Sequence, residues 1–446
     1  MASSPNGRAV RWLREELPAL VASGTISAEN ARAIEAYYAA RAKSAPNFAF
    51  VLLATVGSAL VAAGIVLLIA HNWDEFSRPL RSMLAFLPLI AAQALTAFVL
   101  LRRDGSKPWR ESAAIFNVAA IGTAISLVSQ TYQIHGSLAN FILVWMLLSL
   151  PLVYLLRTTF GASVYLIGGM VWLFVREKMR DFDPIHFWLL LLLIIPYFAM
   201  LYRRARDSRE TAAFAILLAA TTALGLAFTA DFTKANFAIL AFAGFFALVY
   251  LCGIEFFGSA QSTRLHPLAL LGGLAIGVMT IVLTFEEIWR HAASPVWPAD
   301  VRRGIGVAIE LAFPFAALAL AGWSFLQRRM RWSLLAIAFP LVVAVGWFIA
   351  GRCERAYSSS ASSCDMAAVL LLDAYALALG VELIARGLRA ESITRANFGL
   401  LVIAALAVAR FFDSDLTFVV RAVGFIVIGL GFLGTNLLLF RRRSAK

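Results

Sequence analysis

Charged residues are scarce in this chain of 446 residues, because Asp, Glu, Lys and Arg together make up only 15% of it. Soluble domains are about one quarter charged. Hydrophobic residues make up 61%, which is more apolar surface than soluble domains can bury. This composition excludes a soluble enzyme, an intrinsically disordered chain and a nucleic-acid-binding domain. We therefore expect an all-α fold, a polytopic helical membrane protein whose partner is the lipid bilayer and not a nucleic acid.

Residues and motifs of recognised chemistry are also few. The chain has three Cys and five scattered His, and it has no Walker loop, His-Glu-x-x-His, Cys-x-x-Cys or Gly-x-Ser-x-Gly. The missing phosphate-binding loop argues against an ATP-driven pump within this chain, and the scattered histidines argue against a metal site. We assign no catalytic residue, no metal and no cofactor, and we favour a function other than an enzyme.

Long apolar segments make up most of the sequence. A hydrocarbon core about 30 Å thick needs roughly 20 apolar residues in a helix. We predict about 14 transmembrane helices, with 12 as the lower bound because 113–134 and 159–175 are candidates for re-entrant segments. The segments are 48–70, 80–101, 113–134, 138–156, 159–175, 185–202, 211–229, 235–257, 267–285, 304–326, 331–350, 366–387, 393–412 and 416–440.

Basic residues are concentrated on one side of this predicted bundle. With the N-terminus placed inside, 26 of the 39 Lys and Arg residues fall in inner segments. This bias indicates that both termini are cytoplasmic, and it accounts for the net charge of +13 without a nucleic-acid partner. We expect a bacterial inner (plasma) membrane protein with a cytoplasmic amphipathic helical hairpin (1–47), a transmembrane bundle (48–440) and a basic cytoplasmic tail (441–446).

Residues 8–43 have the pattern of two short helices joined by a turn. Apolar residues recur at helical spacing before Gly24, Pro18 is expected to end or kink the first helix, and Ser27 is a candidate N-cap for the second. Two interpretations stay open. The hairpin lies on lipid headgroups or packs on the protein itself, or it docks a cytoplasmic protein partner at 8–43.

Two of the three cysteines, Cys353 and Cys364, lie in the polar segment 351–365, which the charge bias places outside. The outer side of an inner membrane is oxidising, so a disulfide is allowed there. We predict a disulfide between Cys353 and Cys364. The alternative is two free thiols in a flexible Ser-rich loop.

Polar residues gather at the predicted outer ends of the first and third spans, with Asn140 opening the fourth. The residues of this candidate cavity are His71, Asn72, Trp73, Asp74, Gln130, Gln133 and His135. The functional interpretation is a polar cavity open to the outside. The structural interpretation is ordinary capping at the membrane interface, with Trp73 in an aromatic belt.

Three ionisable residues lie inside later spans, each about 10 Å below the predicted outer boundary at 1.5 Å per residue. They are Glu310, Asp373 and Arg421. An unpaired charge at such depth costs at least a few kcal/mol, so we expect Arg421 to pair with Asp373, with Glu310 or with both. The group either belongs to a pathway or holds helices together. Pro314 and Pro340, each inside a span, are candidate helix breaks of a transporter.

The N-terminal third also carries a family resemblance. Its residues are Gly24-Thr25-Ile26-Ser27, Ile69-Ala70-His71-Asn72-Trp73-Asp74, Gln130-Thr131-Tyr132 and Trp145. Over about residues 8–156 the sequence resembles the bacterial predicted-membrane-protein family catalogued as domain of unknown function two-one-five-seven. The resemblance implies an integral membrane protein and no established reaction.

Three functions fit these observations. The first is a transporter or channel-like protein whose pathway is the polar cavity. The alternative is a membrane scaffold or regulatory protein that acts through the N-terminal hairpin, and the third is an intramembrane enzyme that acts on a lipid-linked substrate with His71 or Asp74 as base. A transporter predicts a broken helix and a continuous path, and a scaffold predicts a closed bundle. The sequence assigns no substrate and no oligomeric state.

Overall fold

A computed structural model describes residues 7–41, 75–177, 183–257, 266–292, 300–327, 334–354, 361–390 and 392–413, together with seven residues between 423 and 434. The backbone of these residues forms helices and their connections, without a β-strand. The chain divides into two compact units, residues 1–81 and residues 82–446.

The described part of the first unit begins with two short helices, α1 (Gly7–Ala22) and α2 (Ala28–Arg41), which contact each other. Gly24 turns the chain between them with a φ of +70°, a left-handed conformation that glycine adopts without steric cost. The Ser27 hydroxyl accepts a hydrogen bond from the backbone N–H of Asn30 at 3.1 Å. Ser27 is therefore the N-cap of α2, as the sequence predicts.

Pro18 does not end the first helix, since α1 continues to Ala22. The other predicted effect, a kink at Pro18, stays a prediction. A proline removes one backbone hydrogen bond, and the helix stays bonded beyond it, because the N–H of Ser23 bonds the carbonyl of Ala19 at 2.9 Å. Leu17, next to the proline, is buried.

Thirteen further helices follow, most of them joined by short connections. Their bounds are α3 (Arg78–Arg102), α4 (Lys107–Tyr132), α5 (Leu138–Leu156), α6 (Thr159–Glu177), α7 (Ile185–Ala205), α8 (Arg209–Thr233), α9 (Ala238–Glu255), α10 (Pro267–Val282), α11 (Glu286–Ala292), α12 (Val301–Leu326), α13 (Leu334–Glu354), α14 (Ala361–Arg389) and α15 (Ile393–Asp413). Within the described ranges, ten helices are long and apolar enough to cross a membrane. Two more apolar stretches, Pro267–Val282 and Leu335–Gly351, are shorter.

Each predicted span between residues 80 and 412 coincides with one of these helices, so the chain is a polytopic helical membrane protein. The two segments suspected of re-entering the membrane form full helices of 26 and 19 residues, α4 and α6. The predicted span 48–70 and most of 416–440 lie outside the described residues. The total of fourteen therefore stays a prediction.

The second unit has two main clusters of buried side chains. Helices α5 to α8 pack around residues such as Phe187, and α9 to α14 pack around residues such as Trp289. A smaller cluster, which contains Leu226 of α8 and Phe245 of α9, joins them. We call α3–α8 the N-terminal group and α9–α15 the C-terminal group. Large apolar side chains on the outer faces are exposed, as expected for helices that face lipid.

Close backbone approaches hold the C-terminal group together. A Cβ atom placed on Gly244 of α9 would lie 2.2 Å from the backbone nitrogen of Pro314 in α12. Pro314 thus lies at a tight helix crossing, and α12 runs through it without a break. Helix α13 likewise continues through Pro340, which is buried. The predicted breaks at these prolines are wrong, because each proline removes a single backbone bond and the surrounding packing holds the helix.

Candidate functional site

The described members of the predicted polar cavity lie around the end of α4. Gln130 is in its last turn, Gln133 and His135 follow in the connection to α5, and all three are exposed. Gln133 has a left-handed φ of +52°, and its N–H bonds the carbonyl of Gln130 at 3.3 Å. These contacts are those of a helix C-cap. The remaining members lie outside the described residues, and their grouping stays a prediction: His71, Asn72, Trp73 and Asp74.

A cavity of about 620 Å³ opens beside this cap, between α3, α4 and α5. We call it the α3–α5 cavity. Most of its wall is apolar, and its polar side chains are Gln93, Ser129, Ser137 and Asn140. Sequence reasoning placed Asn140 at this end of the bundle but missed Gln93. The available signal was a single amide inside the apolar run of α3.

Asn117, in the middle of α4, is fully buried. Its Nδ2 donates to the carbonyl of Ala92 at 2.9 Å and to the hydroxyl of Thr96 at 2.6 Å, and both of these residues belong to α3. Its Oδ1 has no hydrogen-bond partner among the described residues. The contact between α3 and α4 is therefore polar at depth and leaves one acceptor unused.

A second cavity, of about 440 Å³, lies at the other end of α4 and α5. Four basic side chains line it: Lys107 and Arg110 of α4, Arg157 just after α5, and Arg204 near the end of α7. We call it the basic cavity. Sequence reasoning used these residues only to orient the chain. The structure brings them to one place, so that helices α4 and α5 have a cavity at each end.

One of the predicted ionisable residues, Asp373, forms an ion pair with Arg410, a residue outside the predicted group. Arg410 of α15 contacts Asp373, with its Nε and Nη2 at 3.2 and 3.1 Å from Oδ1. The same Nη2 donates to the backbone carbonyl of Thr284, after α10. This contact set joins α14, α15 and the end of α10. Arg421 lies outside the described residues, so its pairing stays a prediction.

Glu310 of α12 is fully buried and accepts a hydrogen bond from the hydroxyl of Thr233 at 2.5 Å. Its second oxygen, Oε2, has no hydrogen-bond partner in the described part of the chain. Among the described residues, Glu310 is therefore bonded to α8.

The register of α14 and α15 explains the pairing of Asp373. A Cβ on Gly387 would meet the backbone of Ala396, and one on Gly380 would meet the side chain of Ile403. In each pair the two residues lie equally far in sequence from the turn near residue 391. Asp373 and Arg410 obey the same rule, which identifies an antiparallel pair of helices. Within α14, the carboxylate of Glu382 forms an ion pair with Nε of Arg386 at 2.7 Å, one helical turn further on.

The two outer cysteines lie at helix ends. The backbone of Cys353 is in the last turn of α13 and that of Cys364 in the first turn of α14, so both ends of the predicted loop 351–365 are helical. Their side chains lie outside what the structure describes, and the disulfide stays a prediction.

No cluster of three His, Cys, Asp or Glu side chains suited to a metal ion occurs among the described residues.

The comparisons with known proteins bear on the N-terminal part of the chain. Residues 18–162 match the model of a family described as predicted membrane protein (DUF2157). No curated protein and no solved structure matches the chain. The matched segment reaches from α1 to the first turn of α6 and includes most residues of the α3–α5 cavity. The resemblance to this membrane-protein family is thereby confirmed for residues 18–162, within a chain that is a multi-pass membrane protein.

Proposed function

We propose that this chain is a transporter or channel-like protein and that α3, α4 and α5 frame the path of its solute. The observation that carries the proposal is the pair of cavities at opposite ends of α4 and α5. A protein that exposes a site to each side of a membrane in turn needs an opening at both ends of one group of helices. A closed scaffold needs neither.

The chemistry of the α3–α5 cavity supports a small polar solute. Binding pockets for small molecules are about 300–1,000 Å³, mostly apolar, with a few polar groups that fix orientation. This cavity has that size and offers the amides of Gln93 and Asn140 and the hydroxyl of Ser129.

The contact between α4 and α5 beside the α3–α5 cavity is closely packed. A Cβ on Gly122 of α4 would lie 2.9 Å from the side chain of Trp145 in α5. The indole N–H of Trp145 donates to the carbonyl of Val118 at 2.7 Å. Because the side chain of Trp145 makes this contact, a change of its rotamer would open the contact between α4 and α5. Such a change costs less free energy than a movement of two helix backbones. Trp145 is therefore our candidate for the gate.

Cysteine labelling tests both the cavities and the proposed orientation, in which both termini are cytoplasmic. In a background with Cys252, Cys353 and Cys364 replaced by Ser, a membrane-impermeant thiol reagent is expected to label Asn140→Cys from outside in spheroplasts. It should label Arg157→Cys only in inverted vesicles. Leu147→Cys, on an exposed apolar face of α5, is the matched control and should stay unlabelled. Labelling of Asn140→Cys from the inside would contradict the proposal.

Flux is then measured in proteoliposomes challenged with small polyols, amino acids and ions, with light scattering as the readout. Solute entry that labelled Asn140→Cys blocks supports the pathway. Entry that the label leaves unchanged places the pathway elsewhere.

Alkylation of the unmodified chain with and without reductant tests the proposed disulfide, since both Cys353 and Cys364 should react only after reduction.

A second candidate function, a regulatory or scaffold protein that docks a partner through α1 and α2, is favoured by one observation. Trp12 and Tyr37 expose 61% and 55% of their surface, which is unusual for large aromatic side chains. Trp12→Ala with Tyr37→Ala separates the two functions. The double variant should keep solute flux under the transporter proposal and should lose only a cellular phenotype under the scaffold proposal.

A further inference from the structure

One charge in the basic cavity is not explained by membrane orientation. Arginines at the predicted cytoplasmic ends of helices follow from the positive-inside bias, and most are solvated. Arg110 is only 7% exposed, and its Nε has no hydrogen-bond partner in the described ranges. A buried guanidinium with an unused donor costs free energy unless a partner completes it. The cavity that Arg110 lines is the place from which such a partner would come.

The lining of the cavity is strongly basic. Arg157 and Arg204 are exposed at its rim. Lys107 also lines it and forms an ion pair with Glu210, the one acidic residue in the lining. Because that pair is neutral, the arginines leave the lining with a net formal charge of +3.

Glu111, the residue after Arg110, is committed elsewhere. Its carboxylate accepts hydrogen bonds from the backbone N–H groups of Thr159 and Phe160 at 3.0 and 3.1 Å. It also accepts one from the hydroxyl of Thr158. The acid therefore caps the start of α6, and its oxygens are already bonded there.

The helix ends and hydroxyl groups around the cavity add to the positive potential and to the donor set. The lining includes residues at the starts of α4, α6 and α8, and the start of a helix is the positive end of its dipole. Thr159 and Tyr197 also line the cavity, and their hydroxyl oxygens are 3.1 Å apart. A ligand there would meet guanidinium and hydroxyl donors together.

We propose that the basic cavity binds a phosphate group, with Arg110 as its buried ligand and Arg157 and Arg204 as its ligands at the rim. Guanidinium groups match the oxygen geometry of phosphate and form charge-assisted pairs with it. A volume of about 440 Å³ accommodates more than a bare ion. The phosphate belongs either to the headgroup of an anionic lipid or to a small soluble phosphate ester. The proposal does not depend on whether the chain transports a solute.

Ligand titration of the purified full chain distinguishes these sources. The protein is held in dodecyl maltoside, which has no phosphate, and titrated separately with dioctanoyl phosphatidylglycerol, glycerol 3-phosphate and dioctanoylglycerol. We expect a saturable rise in Tm, measured by tryptophan fluorescence. A rise with the phospholipid alone identifies a headgroup, and a rise with glycerol 3-phosphate identifies a soluble ester. No rise with either phosphate compound, or an equal rise with the phosphate-free dioctanoylglycerol, overturns the proposal.

Neighbouring arginines of α7 provide a matched pair of variants. Arg204 lines the cavity and Arg203 does not, although both are exposed near the end of α7. Arg204→Gln and Arg157→Gln should each raise the Kd about tenfold for whichever phosphate compound raises the Tm of the wild type. A rise of about tenfold is the effect of one lost charge-assisted contact. Arg203→Gln should change it by less than about twofold. Equal weakening by Arg203→Gln and Arg204→Gln would mean a diffuse surface charge and would overturn the site.

Arg110→Met tests the buried ligand directly. It should abolish the rise in Tm with the phosphate compound while leaving the ligand-free protein at least as stable as wild type, because an incompletely bonded buried charge is removed. A ligand response in Arg110→Met equal to that of wild type would contradict the role of Arg110. If this variant fails to fold, the rim variants still decide the proposal.

Discussion

Arg410 and Arg110 are two arginines inside the same bundle with opposite surroundings. Arg410, in the C-terminal group, bonds the carboxylate of Asp373 and the carbonyl of Thr284 and so joins three segments of chain. Arg110, in the N-terminal group, is more buried and has an Nε without a partner among the described residues. A partly buried arginine that bonds groups on neighbouring segments holds helices together. A buried charge with an unused donor, lining a basic cavity, indicates a ligand.

The two groups also differ in whether their close helix contacts involve backbone or side-chain atoms. In the C-terminal group Gly244 faces the backbone of Pro314, which cannot move without its helix. In the N-terminal group Gly122 faces the indole of Trp145, which can change rotamer. The C-terminal group therefore has the contacts of a frame. The N-terminal group has a cavity at each end of α4 and α5 and a side-chain contact between these two helices, and the proposed function relies on this arrangement.

The largest effect is expected where two helix backbones meet. Gly244→Ala should lower the free energy of unfolding by about 3 kcal/mol or more, because the new methyl group overlaps the backbone of Pro314 and one helix must shift. Gly122→Ala should cost less, about 1–2 kcal/mol, because the indole of Trp145 can move. Unfolding in a detergent titration measures both variants.

Gly304 provides the control for these variants. A Cβ there meets no atom within 4 Å, so Gly304→Ala should stabilise α12 by up to about 1 kcal/mol through helix propensity alone. If Gly122→Ala proves as damaging as Gly244→Ala, the contrast between a frame and a movable group does not hold.

The second largest effect concerns the arginine that holds the frame. Arg410→Leu removes the ion pair of Arg410 with Asp373 and its hydrogen bond to the carbonyl of Thr284, so we expect a loss of about 2–4 kcal/mol. Asp373→Asn combined with Arg410→Leu should recover part of it, since no charge is then stranded. The same cycle with Arg421→Leu tests the pairing that depth predicted. If the coupling free energy of Asp373 is larger with Arg421 than with Arg410, then Arg421 and not Arg410 is the main partner of Asp373.

The sequence predicts the helices better than it predicts their neighbours. Twenty apolar residues in a row specify a helix of known length, so the described spans were found. The pairing of Asp373 depends on the register of α14 against α15, which is set by close contacts such as Gly380 with Ile403. That register is readable only once the two helices are known to be an antiparallel pair.

The basic cavity was hidden for a related reason. Its four basic residues lie at or near the ends of three helices, α4, α5 and α7, and are spread from Lys107 to Arg204 in sequence. Each one alone has the ordinary explanation of a residue that orients the chain. Only the burial of Arg110, which is a property of the folded chain, distinguishes a ligand from an orienting charge. The amide of Gln93 was closer to detection, because it interrupts the apolar run of α3.

A smaller effect is expected at the entrance to α10. His266 stacks on Phe257 with ring centroids 4.3 Å apart, and its Nδ1 accepts the N–H of Leu268 at 3.2 Å. Burial lowers the pKa of His266, and the carboxylate of Asp207 partly opposes this shift. The folded state therefore binds fewer protons than the unfolded state, and Tm should fall as the pH drops from about 6.5 through the lowered pKa.

His266→Asn keeps an acceptor at the N-cap position but cannot titrate in this range. Its Tm should follow the pH less steeply than that of wild type between pH 7 and pH 5. If His266→Asn retains the full pH dependence of Tm, a titratable group other than His266 causes it.

The smallest effect is expected for the ion pair of Lys107 with Glu210, at the edge of the basic cavity. Both side chains are about half exposed, at 47% and 49%, and exposed pairs contribute about 0.2–1 kcal/mol to stability. A double-mutant cycle with Lys107→Met and Glu210→Gln should give a coupling free energy in that range, and 0.5 M salt should reduce it. A coupling above about 2 kcal/mol would mean that this end of the N-terminal group is held as firmly as the C-terminal frame.

Glu210→Gln alone tests the basic cavity, because the substitution raises the net positive charge of its lining. If the arginines of the cavity bind phosphate, this variant should bind the phosphate compound more tightly than wild type while its own stability changes little.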